Sequence, residues 1–120
     1  MIGGGGINME YSFKIYEEVY NEMINGQKTI EIRLLNDKTE SIKAGDIIRF
    51  NVLNSDKFLL VKVTNKTVFR DIDELWSAKE ILLDSSIYST KEEFSNLLNK
   101  IFGEEKVKDS KIVGIEFEII

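Results

Sequence analysis

Residues 26–33 read Gly26-Gln27-Lys28-Thr29-Ile30-Glu31-Ile32-Arg33. A glycine opens the run, isoleucines alternate with other residues, and lysine, glutamate and arginine fall at positions 28, 31 and 33. Successive side chains on an extended strand point to opposite faces. Ile30, Ile32 and Leu34 are therefore expected in a core, with Thr29, Glu31 and Arg33 on the other face and Lys28 at the strand's start. That second face has two readings. Glu31 and Arg33 form either an exposed charge pair, worth at most about 1 kcal/mol, or part of a ligand cleft.

The flanking sequence supplies the elements around this strand. Tyr11, Phe13 and Ile15 alternate as a short strand, and Tyr16, Val19, Tyr20 and Met23 then recur at helical spacing up to a stop at Asn25 and Gly26. The strand at 28–35 is followed by polar turn material, "NDKTES", and by "KAGD", in which Gly45 suits a tight turn. Segments 47–53 and 58–68 alternate again, joined by "NSD", so a three-strand meander is expected. Asp71 is placed to cap a helical region that runs with interruptions through Leu83. Thr90 caps a further helix with Glu93 as its capping-box partner, burying Phe94, Leu97, Leu98 and Ile101 and ending at Gly103. After polar "EEKVKDS", a last strand spans 112–120. Set beside the N-terminal strand, it would help close a small barrel and remove its edges.

Composition narrows the chemistry. The chain has 120 residues, 42% hydrophobic and 31% charged, with no cysteine and no histidine. That balance suits one globular domain able to bury a core without a metal or disulfide. Zinc sites built on cysteine and histidine, and nucleophilic triads that use a histidine base, are excluded. Lysine, carboxylates and hydroxyls remain for acid–base or covalent work, and no metal or cofactor site is expected. A net charge of −5 argues against nonspecific coating of nucleic acid. With no long apolar run and no signal-peptide pattern, a cytoplasmic protein without membrane contact is expected. Residues 1–8 hold four consecutive glycines and read as a flexible leader, leaving 9–120 as a single domain.

Gly26, Lys28, Glu31 and Arg33 match a G-x-K-x-x-E-x-R signature, and the chain resembles the ASCH domains of the PUA-like superfamily. The resemblance extends to the preceding helix, to "SIKAGDIIRF", to "LLVKVTNKTVFRDIDELW" and to the closing "KIVGIEFEII". It implies an α+β fold, a small PUA-like β-barrel of about five to six strands flanked by about two to four helices. It also implies a charged cleft beside the barrel, lined by Lys28, Glu31 and Arg33, that takes RNA or a nucleotide-like small molecule. Lys28 and Arg33 would hold a phosphate, arginine through its planar fork. Glu31 would orient Arg33 or accept from a base edge. Some small bacterial ASCH proteins resemble hydrolases of N4-acetylcytidine, which makes Lys28 and Glu31 the catalytic candidates of an alternative reading. That scheme places a threonine where this chain has Glu31, and a carboxylate does not replace a hydroxyl nucleophile, although it can act as a base on water.

Other residues carry weaker signals. Tyr88, in polar "SSIYST", is a stacking or hydroxyl candidate for the ligand. Trp76 is expected to pack in or beside the core, as are Tyr16 and Tyr20 on one helical face. Arg49 and Lys62 would extend a basic strip next to Arg33 if their strands lay beside it. Asp46 is expected to bond its local turn backbone.

Overall fold

A computed structural model describes residues 8–78 and 90–120. The glycine-rich residues 1–7 and the candidate Tyr88 lie outside the described residues. The elements are β1 (Glu10–Ile15), α1 (Glu17–Ile24), β2 (Ile30–Leu34), α2 (Asp37–Ser41), β3 (Ile47–Val52), β4 (Phe58–Phe69), α3 (Ile72–Ser77), α4 (Lys91–Phe102), α5 (Glu104–Asp109) and β5 (Ile112–Ile119). The five strands form one curled sheet, a half-barrel, in the order β1-β3-β4-β5-β2. The fold class is α+β, as the resemblance implies.

The pairing differs from the expected meander. β3 and β4 form an antiparallel hairpin, but β2 pairs antiparallel with β5 and β1 runs parallel to β3. The last strand lies between β4 and β2, not beside β1. Alternation assigns residues to faces and leaves the choice of neighbour to contacts distant in sequence. Two polar stretches read as turn or loop are short helices. In α2, Asn36 Oδ1 accepts from Thr39 N at 2.9 Å while Thr39 Oγ1 accepts from Asn36 N at 2.9 Å, a reciprocal cap that starts a helix from polar residues. In α5, Val107 anchors the segment by burial. The expected caps are present: Asp71 accepts from Glu74 N and Thr90 from Glu93 N. Gly103, at φ 95°, ends α4.

Two cores occupy the two faces of the sheet. The first, inside the curl, is built on Ile48, Phe50, Val61, Val63, Val113 and Ile115, with Phe50 flanked by Phe13 and Phe117 at centroid distances of 6.2 and 5.6 Å. The second lies under the helices and joins Phe69, Leu75, Phe94, Leu98, Val107 and Ile112. The register of β2 against β5 decides where the opening stretch points. Ile32 sits opposite Gly114 and Leu34 opposite Ile112, and both pack against the second core. Glu31 and Arg33 sit opposite Ile115 and Val113, on the face of the first core. The isoleucines do turn inward, but toward the helices, and Glu31 is not on a solvated face: it is only 5% exposed.

The strands β1 and β2 are the edges of the sheet, and side chains bridge them. Arg33 Nη2 donates to Lys14 O at 3.1 Å and Lys38 Nζ donates to Ser12 O. Both cations lie over the Phe13 ring, with Arg33 Cζ at 4.7 Å and Lys38 Nζ at 4.0 Å from its centroid. Outward carbonyls of β1 are thus satisfied without a neighbouring strand, which protects an edge that would otherwise invite pairing. At the other end of β1, Asp46 is fully buried and accepts from Lys43 N at 2.9 Å and Met9 N at 3.0 Å. The local bond is the expected one; the second ties the turn to the start of β1.

Candidate functional site

The turn between α1 and β2 sets the site. Glu22 O accepts from both Gln27 N (2.9 Å) and Lys28 N (3.1 Å), closing the end of α1 around Gly26 at φ 76°. A Cβ at Gly26 would meet nothing within 4 Å, so the left-handed backbone, not space, is what calls for glycine there. Lys28 therefore leaves the turn just ahead of the strand, which starts at Ile30, and its ammonium folds back toward Glu31.

Glu31 is the hub of the cluster. Its Oε2 accepts from Arg33 Nε at 3.0 Å and from Arg33 Nη2 at 2.8 Å, and its Oε1 lies 3.4 Å from Lys28 Nζ. A buried carboxylate is costly unless paired and hydrogen-bonded, and here each oxygen faces a cation. Two positive groups around one negative group leave the cluster with a local surplus of positive charge in a chain whose net charge is −5. Arg33 uses Nε and Nη2 on Glu31 and on Lys14 O, so it clamps the structure. Lys28 makes only the Glu31 contact among the described residues and retains donor capacity. The neighbouring Lys38 has its pKa lowered, chiefly by burial and secondarily by the charge of Arg33.

All three signature side chains line a cleft of about 880 Å³ bounded by the start of α1, by β2 and by α4. Arg33 also lines a smaller cleft of about 430 Å³ with Phe13, Asn36 and Lys106. The other sequence candidates fall elsewhere. Trp76 packs against Phe94 at a centroid distance of 6.0 Å, in the second core, as expected. Arg49 lies over Phe58 at 3.9 Å and donates to Asn51 Oδ1, while Lys62 sits opposite Ile47 and Glu118. Neither extends a strip beside Arg33, because β1 and β4 are the neighbours of β3 and β2 is not. Tyr20 packs against the first core. Tyr16 does not: it is 62% exposed and lines the larger cleft, as do the exposed Leu53 and Ile101, the last of which was expected to be buried. The signal for Tyr16 lies in its position. It is the N-cap residue of α1, with extended backbone, so its side chain does not follow the helical face. Among the described residues, no group of three or more Asp or Glu side chains is placed to hold a metal ion, and no helix is long and apolar enough to cross a membrane.

The five-strand curled half-barrel matches the fold of ASCH/PUA-like structures. The ASCH domain from Lactobacillus crispatus JV V101 superposes with a TM-score of 0.59 over 93% of this chain and 79% of that chain, at 14% identity, a likeness of fold alone. The hypothetical protein PH0355 is 31% identical and matches over 93% of this chain and 100% of its own, with a TM-score of 0.79. Protein PF0455 from Pyrococcus furiosus is 28% identical over 93% of this chain and 98% of its own, with a TM-score of 0.70. No family model and no curated protein matches the sequence. The chain belongs to the same family as PH0355, and its fold is that of an ASCH domain.

Proposed function

We propose that the chain is an RNA- or nucleotide-binding module that takes a single nucleotide unit, free or within a single strand, in the cleft at Lys28, Glu31 and Arg33. One observation carries this reading: two cationic side chains, Lys28 and Arg33, converge on the buried Glu31 carboxylate at the wall of a cleft of about 880 Å³. That volume lies in the range of small-molecule sites. Lys28 contacts the phosphate, Glu31 holds both cations in place, and Arg33 fixes Glu31 while adding positive potential. The overall negative charge restricts the anion to this locality, since a long phosphate backbone would be repelled by the rest of the surface. A cytoplasmic setting, where both ligand classes are abundant, accords with this role.

Isothermal titration with ribonucleotides and short single-stranded RNA tests the reading. Binding is expected to weaken with added salt and to fall at least about tenfold in Lys28→Ala, as for loss of a charge-assisted contact. Unchanged binding after joint substitution of Lys28, Glu31 and Arg33 would sink it. A second, hydrolytic reading rests on the 3.4 Å contact between Lys28 Nζ and Glu31 Oε1, a pair able to relay a proton to or from a water at the cleft wall. Turnover of N4-acetylcytidine that disappears in Lys28→Ala would decide for it.

A further inference from the structure

We infer that Tyr16 is the stacking platform of the cleft, on which the base of the bound nucleotide lies; the inference rests on the nucleotide reading above and adds the residue that recognises the ring. A large aromatic side chain left open to water loses the hydrophobic gain of burial, and Tyr16 is 62% exposed. Its ring has no aromatic, cationic or hydrogen-bonding partner among the described residues. It is not on a random stretch of surface, because it lines the same cleft as Lys28, Glu31 and Arg33.

The backbone that carries Tyr16 is held. Arg33 Nη2 donates to Lys14 O at 3.1 Å, Leu53 N donates to Ile15 O at 2.9 Å, and Tyr20 N donates to Tyr16 O at 3.1 Å. The clamp that organises Glu31 thus also anchors the chain two residues before Tyr16, so the ring and the charged cluster are positioned by the same side chain. Leu53, 38% exposed, and Ile101, 51% exposed, add apolar surface to the same lining. An exposed ring and aliphatic surface beside a locally positive cluster match a ligand that joins a planar ring to an anion, which is the chemistry of a nucleotide. A base stacked on an aromatic side chain is a contact open to any of the bases.

The test uses three sets of probes on the full chain: the four ribonucleoside 5′-monophosphates, the matching nucleosides, and ribose 5-phosphate. Titration is carried out with the native protein and with Tyr16→Ala, Tyr16→Phe and Lys28→Ala. Tyr16→Ala should weaken nucleotide and nucleoside binding about tenfold, within the range measured for loss of a base-stacking aromatic, and leave ribose 5-phosphate unaffected. Tyr16→Phe should bind as the native chain does, and base protons of the bound ligand should show upfield ring-current shifts that Tyr16→Ala abolishes. Nucleotide binding that responds to Lys28→Ala but not to Tyr16→Ala overturns the platform and leaves the nucleotide reading standing. Nucleoside binding that depends on Tyr16, with no response of any phosphate-bearing probe to Lys28→Ala, keeps the platform and removes the phosphate role of Lys28. If no probe binds, both fall. The exposure of Tyr16 makes its variants fit for this test, since its removal opens no core cavity.

Discussion

Arg33 Nη2 donates to the carbonyl oxygen of Lys14 at 3.1 Å, joining two edge strands that share no backbone ladder. The same guanidinium holds Glu31 through Nε and Nη2. Closure of the half-barrel and organisation of the charged cluster are therefore one interaction. Arg33→Ala should destabilise the fold by about 2–4 kcal/mol, because it leaves a nearly buried carboxylate with Lys28 alone. Urea denaturation measures this. Replacing both partners, as Glu31→Leu with Arg33→Met, should cost less than Arg33→Ala, since no uncompensated charge stays buried; equal or greater loss in the double variant would show that the seam bridge, not the carboxylate, dominates.

Lys28 should behave in the opposite way. Its ammonium lies 3.4 Å from Glu31, a longer contact than the 2.8 Å Arg33 bond, and it bridges no strands. Lys28→Ala is expected to change stability by less than about 1 kcal/mol while reducing binding of phosphate-bearing ligands about tenfold or more. Parallel denaturation and titration separate the two quantities. Comparable losses of stability in Lys28→Ala and Arg33→Ala would contradict this division of roles.

Gly114 occupies a tight position. A Cβ there would stand 3.0 Å from Ile30 Cδ1 and 3.2 Å from Phe69 Cε2, between β2 and the second core. Gly114→Ala should cost about 1–3 kcal/mol through overpacking. Ile30→Val removes the nearer atom, so the pair Gly114→Ala with Ile30→Val should be more stable than the sum of the separate losses implies. Thermal unfolding of the three variants checks this.

These residues also show where the sequence was legible. The alternation in 26–33 located a strand and separated Ile32 from Glu31 correctly, because side-chain direction is a local property. It left open which face is wetter, and the answer depends on β5, far along the chain: Ile115 and Val113 place Glu31 and Arg33 on the side of the first core. Pairing order was missed for the same reason, and the short helices at Asp37–Ser41 and Glu104–Asp109 were hidden because their residues are mostly polar. In the candidate site, the three charged residues stood out in sequence as a cluster. Helical spacing assigns Tyr16 to the core, whereas the N-cap position frees its side chain from the helical face.

The cap of α3 carries a pH signature. Asp71 has its pKa lowered from 3.8, chiefly by the hydrogen bond from Glu74 N, with Arg70 adding to the effect. A carboxyl whose folded pKa lies below its unfolded value binds its proton more readily in the unfolded chain. Its contribution to stability is therefore full above the unfolded pKa, near 3.8, and is lost as pH falls through the lower folded value. Asp71→Ala should lower the melting temperature at pH 7, since Glu74 N loses its acceptor. The gap between native and variant should persist as pH is lowered toward 4 and then shrink on further acidification. Asp71→Asn, which retains a capping oxygen without the charge, should restore part of the stability at pH 7 and show little of the acid-dependent narrowing. A native-to-alanine gap that stays constant through the acid range would mean that the carboxylate charge contributes nothing to the cap.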